Sequence, residues 1–231
     1  GFLIRLIRSQ FYLVHKKIKV LTHKGINSFN KIYLPIYDKD DILIEKARVI
    51  NSKGQVIELK NENIKEGVDE DTDAKYRYFA FDGVDINSEI EYIYLYKTNP
   101  RIKGRLLDVQ TKFPQINFSF ELISPLGLIF EFKSYNGLPK IMSDTSLRTE
   151  KEKNRWELIM DTVKYMPNQR NSAYDAELMY FGYKLTKNLY RNLADLYSYG
   201  ELAQLVYKAV YANVSKNDKK FLKKILKEIP L

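Results

Sequence analysis

The sequence predicts a mainly β chain: an antiparallel β-sandwich over residues 1–185, followed by two or three amphipathic helices over residues 186–231. From the start to about residue 165, apolar and polar side chains alternate with the period of a strand that buries one face. The runs are short and recur about every ten residues, the spacing of hairpins and Greek keys rather than of β-α-β units. Sequences that bend the chain separate them: Asp82-Gly83, Asn99-Pro100, Ser124-Pro125-Leu126-Gly127 and Asn136-Gly137-Leu138-Pro139. From Thr186 the apolar period lengthens to that of a helix.

In order along the chain, Phe11–Leu21 reads as the first strand, His23-Lys24-Gly25 as a turn and Ile26–Ile36 as its hairpin partner. Ile42–Ile50 and Gln55–Leu59 flank Asn51-Ser52-Lys53-Gly54, whose glycine can take the positive φ of a tight turn. Tyr76–Phe81, Glu89–Thr98, Leu106–Phe113, Ile116–Ser124 and Leu128–Tyr135 continue the series. Asn154–Tyr165 fits either period, since Trp156, Ile159, Met160 and Val163 form a helical face while Trp156, Leu158 and Met160 alternate. Ala176–Leu185 reads as an aromatic-rich strand. Leu189, Leu193, Leu196 and Tyr197 then share a helical face, as do Leu202, Leu205, Val206, Ala209 and Val210, and finally Phe221, Leu222, Ile225, Leu226 and Ile229. Ser215 is the expected N-cap of the last helix and Pro230 its end.

With no cysteine among 231 residues, disulfides, thiolate metal sites and a cysteine nucleophile are excluded. Only His15 and His23 supply imidazoles, eight residues apart and without a ligand pattern, so no metal or cofactor is expected. The net charge of +9 is unevenly distributed: residues 1–35 carry seven basic and no acidic side chains, residues 36–100 nine against fifteen. Nucleic-acid binding through the basic ends therefore stands as a minor alternative. No run reaches the length of a membrane span, and the first residues lack the pattern of a signal peptide.

Three groupings are candidates for function. Asp69-Glu70-Asp71-Thr72-Asp73 opens like a calcium loop, but an EF-hand needs glycine at the sixth place and glutamate at the twelfth, where Ala74 and Ala80 stand. Glu89 and Glu91 share a strand face, yet paired catalytic carboxylates normally flank a cleft from different strands. Tyr92, Tyr94 and Tyr96 project to one side at about 7 Å intervals, a row that could stack sugar rings or peptide side chains, or else pack across a sandwich. No phosphate-binding glycine loop, nucleophile elbow or RNA-recognition strand is present.

Lys17–Gly25, Ala47–Leu59, Phe79–Val84 running into Ile90-Glu91-Tyr92, and Lys187–Leu193 form an ordered set of segments. In this order they resemble a bacterial domain of unknown function that precedes a transglutaminase-like domain in long exported proteins, many of them Bacteroidetes-type. That family usually has a Pro-Gly turn where this chain has Ile86-Asn87, and asparagine is the best non-glycine substitute for a left-handed residue. The resemblance implies an exported, periplasmic or cell-surface protein. It also implies that a transglutaminase-like domain follows as a partner in the same chain, with Leu222, Ile225, Leu226 and Ile229 facing it. In the isolated chain those four side chains would stay exposed or be buried in a dimer. With no cysteine here to carry the triad of such a domain, the expectation is a non-catalytic N-terminal accessory domain that positions or recognises a peptide or glycan. The alternative is an independent carbohydrate-binding module using Tyr92, Tyr94 and Tyr96.

Overall fold

A computed structural model describes residues 9–34, 42–70, 75–144, 153–168, 172–196, 198–211, 215, 216, 218–220 and 223. The fold is mainly β, every strand pair is antiparallel, and the helices are few and concentrated toward the C-terminal end. The chain divides into two compact units, residues 1–100 and 101–231, each with its own core.

In the first unit, β1 (Gln10–Lys19), β3 (Ile42–Ile50), β4 (Val56–Glu58) and β7 (Glu89–Thr98) form a sheet in the order β1-β7-β3-β4. A second sheet has the order β2-β6-β5, from β2 (Lys31–Leu34), β5 (Ile64–Val68) and β6 (Lys75–Ala80). The inner faces of the two sheets meet in a core built on Val20, Leu34, Ala47, Val49, Phe79, Phe81, Ile90, Tyr92 and Tyr94. Because side chains alternate along a strand, burying Ile90, Tyr92 and Tyr94 turns Glu89, Glu91, Ile93 and Leu95 outward.

The first predicted hairpin does not form. β1 pairs along its whole length with β7, and α1 (His23–Phe29) stands where a turn was expected, carrying the chain from one sheet to the other. The reason is local. The Thr22 hydroxyl accepts the Gly25 N–H at 3.1 Å and caps a helix, and Ile26 and Phe29, three apart, pack on the core from one helical face. The Asn51–Gly54 turn forms as predicted, with Arg48 to Ile50 pairing with Val56 to Glu58 and Gly54 at φ +78°. Asn87 likewise takes the left-handed conformation, at φ +72°. Beside it the Asp85 carboxylate accepts both the N–H and the hydroxyl of Ser52, at 3.1 and 2.6 Å, and the buried Ser88 hydroxyl accepts the Asp85 N–H at 2.9 Å. These bonds hold the Asp85 carboxyl below its usual range, the Ser52 hydroxyl contributing most, and they tie two turns together at the entrance to β7.

In the second unit, β8 (Arg105–Asp108), β10 (Leu128–Tyr135) and β13 (Tyr180–Asn188) form a sheet in the order β10-β13-β8. β9 (Gln115–Pro125), β11 (Met142–Asp144) and β12 (Lys153–Val163) form another, β11-β12-β9. Val109, Leu138, Leu158, Val163, Phe181 and Tyr183 are its buried core. The ambiguous segment from Asn154 is thus strand β12, and α2 (Tyr174–Glu177) is one turn ahead of β13.

The helix predicted from Thr186 is also overturned. β13 continues to Asn188, Leu189–Arg191 form a single 3₁₀ turn, and Asn192 and Asp195 take positive φ values of 53° and 54° that no α-helix accommodates. The leucine spacing imitates a helix, but the Leu189 N–H is committed to the Gly127 carbonyl at 2.7 Å and Asn188 bridges Leu193. α3 (Tyr199–Tyr211) forms as predicted, its start closed by reciprocal bonds between Ser198 and Glu201. Ser215 does the same with Asp218, its hydroxyl accepting the Asp218 N–H at 3.1 Å and its N–H donating to the carboxylate at 3.0 Å.

Candidate functional site

Of the residues singled out in the sequence, Tyr92 and Tyr94 are only 7% and 6% exposed, and Tyr96 is half-buried. The row exists as spaced, with Tyr92 and Tyr94 stacked at 6.3 Å, Tyr94 and Tyr96 at 6.1 Å, and Tyr12 against Tyr96 at 5.2 Å. Its direction is inward, because β7 lies between β1 and β3 and its even-numbered side chains meet the opposite sheet, Tyr92 touching Phe79 edge-on at 6.2 Å. Burial pushes the Tyr92 hydroxyl up to about 12. A sugar ring would have to displace core packing to reach Tyr92 or Tyr94.

Glu89 and Glu91 do face outward, and both carboxylates are occupied by cations. Glu91 lies 2.9 Å from His15 Nε2 and accepts from Arg48 Nε at 2.7 Å, while Glu89 pairs with Lys17 at 2.5 Å and Lys19 at 3.2 Å. These bonds, led by His15 for Glu91 and by Lys17 for Glu89, hold both carboxyls below the ordinary range. A general acid needs the opposite shift, so the pair is built as a cross-strand ion-pair lattice. The interdomain residues Leu222, Ile225, Leu226 and Ile229 lie outside the described residues, as do Asp71 and Asp73 of the acidic loop. Among the described residues no cluster of His, Asp or Glu has metal-binding geometry, and no helix is long and apolar enough to cross a membrane.

An open aromatic surface lies elsewhere, on the outer face of the sheet β2-β6-β5. Phe79, Ile32 and Ile64 of these strands point into the core, so alternation sends Lys31, Tyr33, Lys65, Gly67, Tyr76, Tyr78 and Ala80 to the other side. Tyr33, Tyr78 and Lys65 form one cross-strand row, with Tyr76 opposite Gly67 in the next. Ring centroids are 5.3 Å apart for Tyr33 and Tyr78, 5.6 Å for Tyr33 and Tyr76, and 6.1 Å for Tyr76 and Tyr78. Tyr33 is 60% exposed. Gly67 is what lets Tyr76 lie down on the sheet, because a Cβ at that position would come within 2.4 Å of its ring. Lys31 Nζ stands 5.6 Å from the Tyr78 ring centre. Between the sheets, at the same level, Arg77 donates to both carboxylate oxygens of Glu45, at 2.8 and 2.5 Å, and pairs with Glu66 of the neighbouring strand, fixing β6 from below.

Sequence reasoning missed this face although its signal was present. Tyr76 and Tyr78 alternate as Tyr92 and Tyr94 do, and only the pairing of β6 with Tyr33 and Gly67 distinguishes an open row from a buried one. The face can stack flat rings and offers two ammonium groups, and none of its described residues on the three strands is a carboxylate.

A comparison with curated proteins finds no match. Among solved structures, the chain is similar to a proposed protease from Parabacteroides distasonis, at 14% identity and a TM-score of 0.59 over 76% of this chain. The match spans 37% of that protein's length, and at such identity the likeness is one of fold. Residues 9–167 match a domain of unknown function with a solved structure, DUF3857, and the chain belongs to that family.

Proposed function

We propose that the chain is a non-catalytic accessory portion of a longer, exported protease- or transglutaminase-like protein, and that it positions or recognises a peptide or glycan for a catalytic domain elsewhere in that protein. What carries the reading is the likeness of its fold to just over a third of a larger protein described as a proposed protease. Two further observations support it. A cysteine nucleophile would have to come from outside these 231 residues. The carboxylate pair that the sequence singled out, Glu89 and Glu91, is engaged by four basic side chains rather than poised for proton transfer.

The test is direct. The purified chain, incubated with casein and with glutamine peptides plus a primary amine, is expected to release no fragments and form no cross-links by mass spectrometry. The same assay on the parent protein is expected to show one of the two activities. Turnover by the chain alone overturns the reading.

A further inference from the structure

Resting on that recognition role and giving its ligand a chemistry, we infer that the outer face of β2, β5 and β6 is a binding platform for an anionic polysaccharide, a uronic-type ring stacked on Tyr33 beside Tyr78 and the polymer's carboxylates met by Lys31 and Lys65. Tyr92, Tyr94 and Tyr96 take no part in it.

Three properties of the face converge on this class. First, a pyranose presents a flat surface of weakly positive C–H groups, which complements the electron-rich face of a phenol ring. Tyr33 offers such a face to solvent, and Tyr78 lies 5.3 Å from it in the same cross-strand row. The second property is charge. Lys65 closes that row on the far side of Tyr78 and Lys31 stands over the Tyr78 ring, while no carboxylate occurs among the described outward residues of the three strands. Asp69 and Glu70 follow the end of β5 along the strand direction. A polymer laid across the strands, along Tyr33, Tyr78 and Lys65, runs transverse to that direction. The third property is pre-organisation: Tyr76 rests on Gly67 and braces both other rings, so little side-chain freedom is lost on binding.

Two other polymers fit less well. An extended peptide is bound through sheet edges and side-chain pockets, whereas Tyr33 and Tyr78 lie on the face of a sheet with Tyr78 on its central strand. Single-stranded nucleic acid also stacks on aromatic rings but requires a cationic track along its backbone. Across residues 1–100, sixteen basic side chains face fifteen acidic ones.

Affinity electrophoresis of the full chain tests the proposal, with polygalacturonate or alginate in the gel and dextran, an oligothymidylate and polyglutamate as comparisons. Retardation by at least one uronic polymer, and little by the other three, is expected. Tyr33→Ala, at an exposed position, should keep the wild-type circular dichroism and weaken binding about tenfold, the scale of one lost stacking contact. Lys31→Glu combined with Lys65→Glu should abolish retardation, and Gly67→Ala, which dislodges Tyr76, should weaken it. No retardation by either uronic polymer overturns the platform, as does equal retardation by dextran, binding indifferent to Tyr33→Ala, or Tyr33-dependent capture of oligothymidylate or polyglutamate instead. The non-catalytic reading fails on a different result, turnover by the chain, so the two stand or fall separately.

Discussion

Tyr94 and Tyr33 are the same residue type on strands of one sandwich, and what separates them is which side of the pleat they occupy. Tyr94 lies in the core between stacked neighbours, so Tyr94→Ala leaves a large void. The expected loss of stability is about 3–5 kcal/mol in urea titration, against less than about 1 kcal/mol for Tyr33→Ala. Comparable losses for both would mean that Tyr33 is not on an open surface. Tyr92 adds a pH signature. Its folded pKa of about 12 lies above the unfolded value near 10, so the folded state holds a proton that the unfolded state releases. The stabilisation is complete below pH 10 and is lost as the pH rises from 10 to 12, on the order of 2–3 kcal/mol. Tyr92→Phe should flatten that part of the stability curve. An unchanged alkaline slope in the variant would refute the assignment.

At the scale of elements, the inter-sheet pair of Arg77 and Glu45 offers the sharpest prediction. Both side chains are largely buried and joined by two hydrogen bonds, so Arg77→Ala strands Glu45 between the sheets, and Glu45→Ala leaves Arg77 only the more exposed Glu66. Arg77→Ala and Glu45→Ala should each destabilise by about 2–3 kcal/mol, and the double variant by clearly less than their sum. Additive effects would show that the two act independently. Elements also show where the sequence was legible and where it was not. Most strands from Ile42 to Tyr135 followed from alternation and the conformation of Gly54 from turn chemistry, because both are local, and that of Asn87 followed from the family's turn. β5 was missed, its five residues being too short and mixed to alternate visibly, and β8 ends at Asp108 rather than Phe113. The pairing of β1 with β7 was hidden, since the partners lie 70 to 88 positions apart and alternation says nothing about partners. The run from Leu189 to Leu196 was misread for the converse reason. Its leucines repeat at helical spacing, but a tertiary bond from the Leu189 N–H to Gly127 and the left-handed Asn192 overrule the local pattern. The tyrosine row was read correctly as one face, but periodicity does not tell which face meets water.

For the whole chain, two separate cores imply two units able to fold alone. Residues 1–100 and 101–231, expressed separately, should each give a cooperative thermal transition by circular dichroism. A featureless melt from either would show that its core depends on the other half of the chain.

β1, the outermost strand of its sheet, bears on solubility. Among the described residues β7 is its one strand neighbour, and an unsatisfied strand margin is a template on which copies of a protein can stack. The half from His15 to Lys19 carries Lys16, Lys17 and Lys19, three lysines against the one carboxylate, Glu89, that pairs with Lys17 and Lys19, so a positive excess there disfavours the docking of a second copy. The half with Phe11 and Leu13, 58% and 63% exposed, has no such guard. Lys17→Thr combined with Lys19→Thr should therefore raise the tendency to form thioflavin-positive fibrils on concentration, whereas Leu13→Lys should lower it.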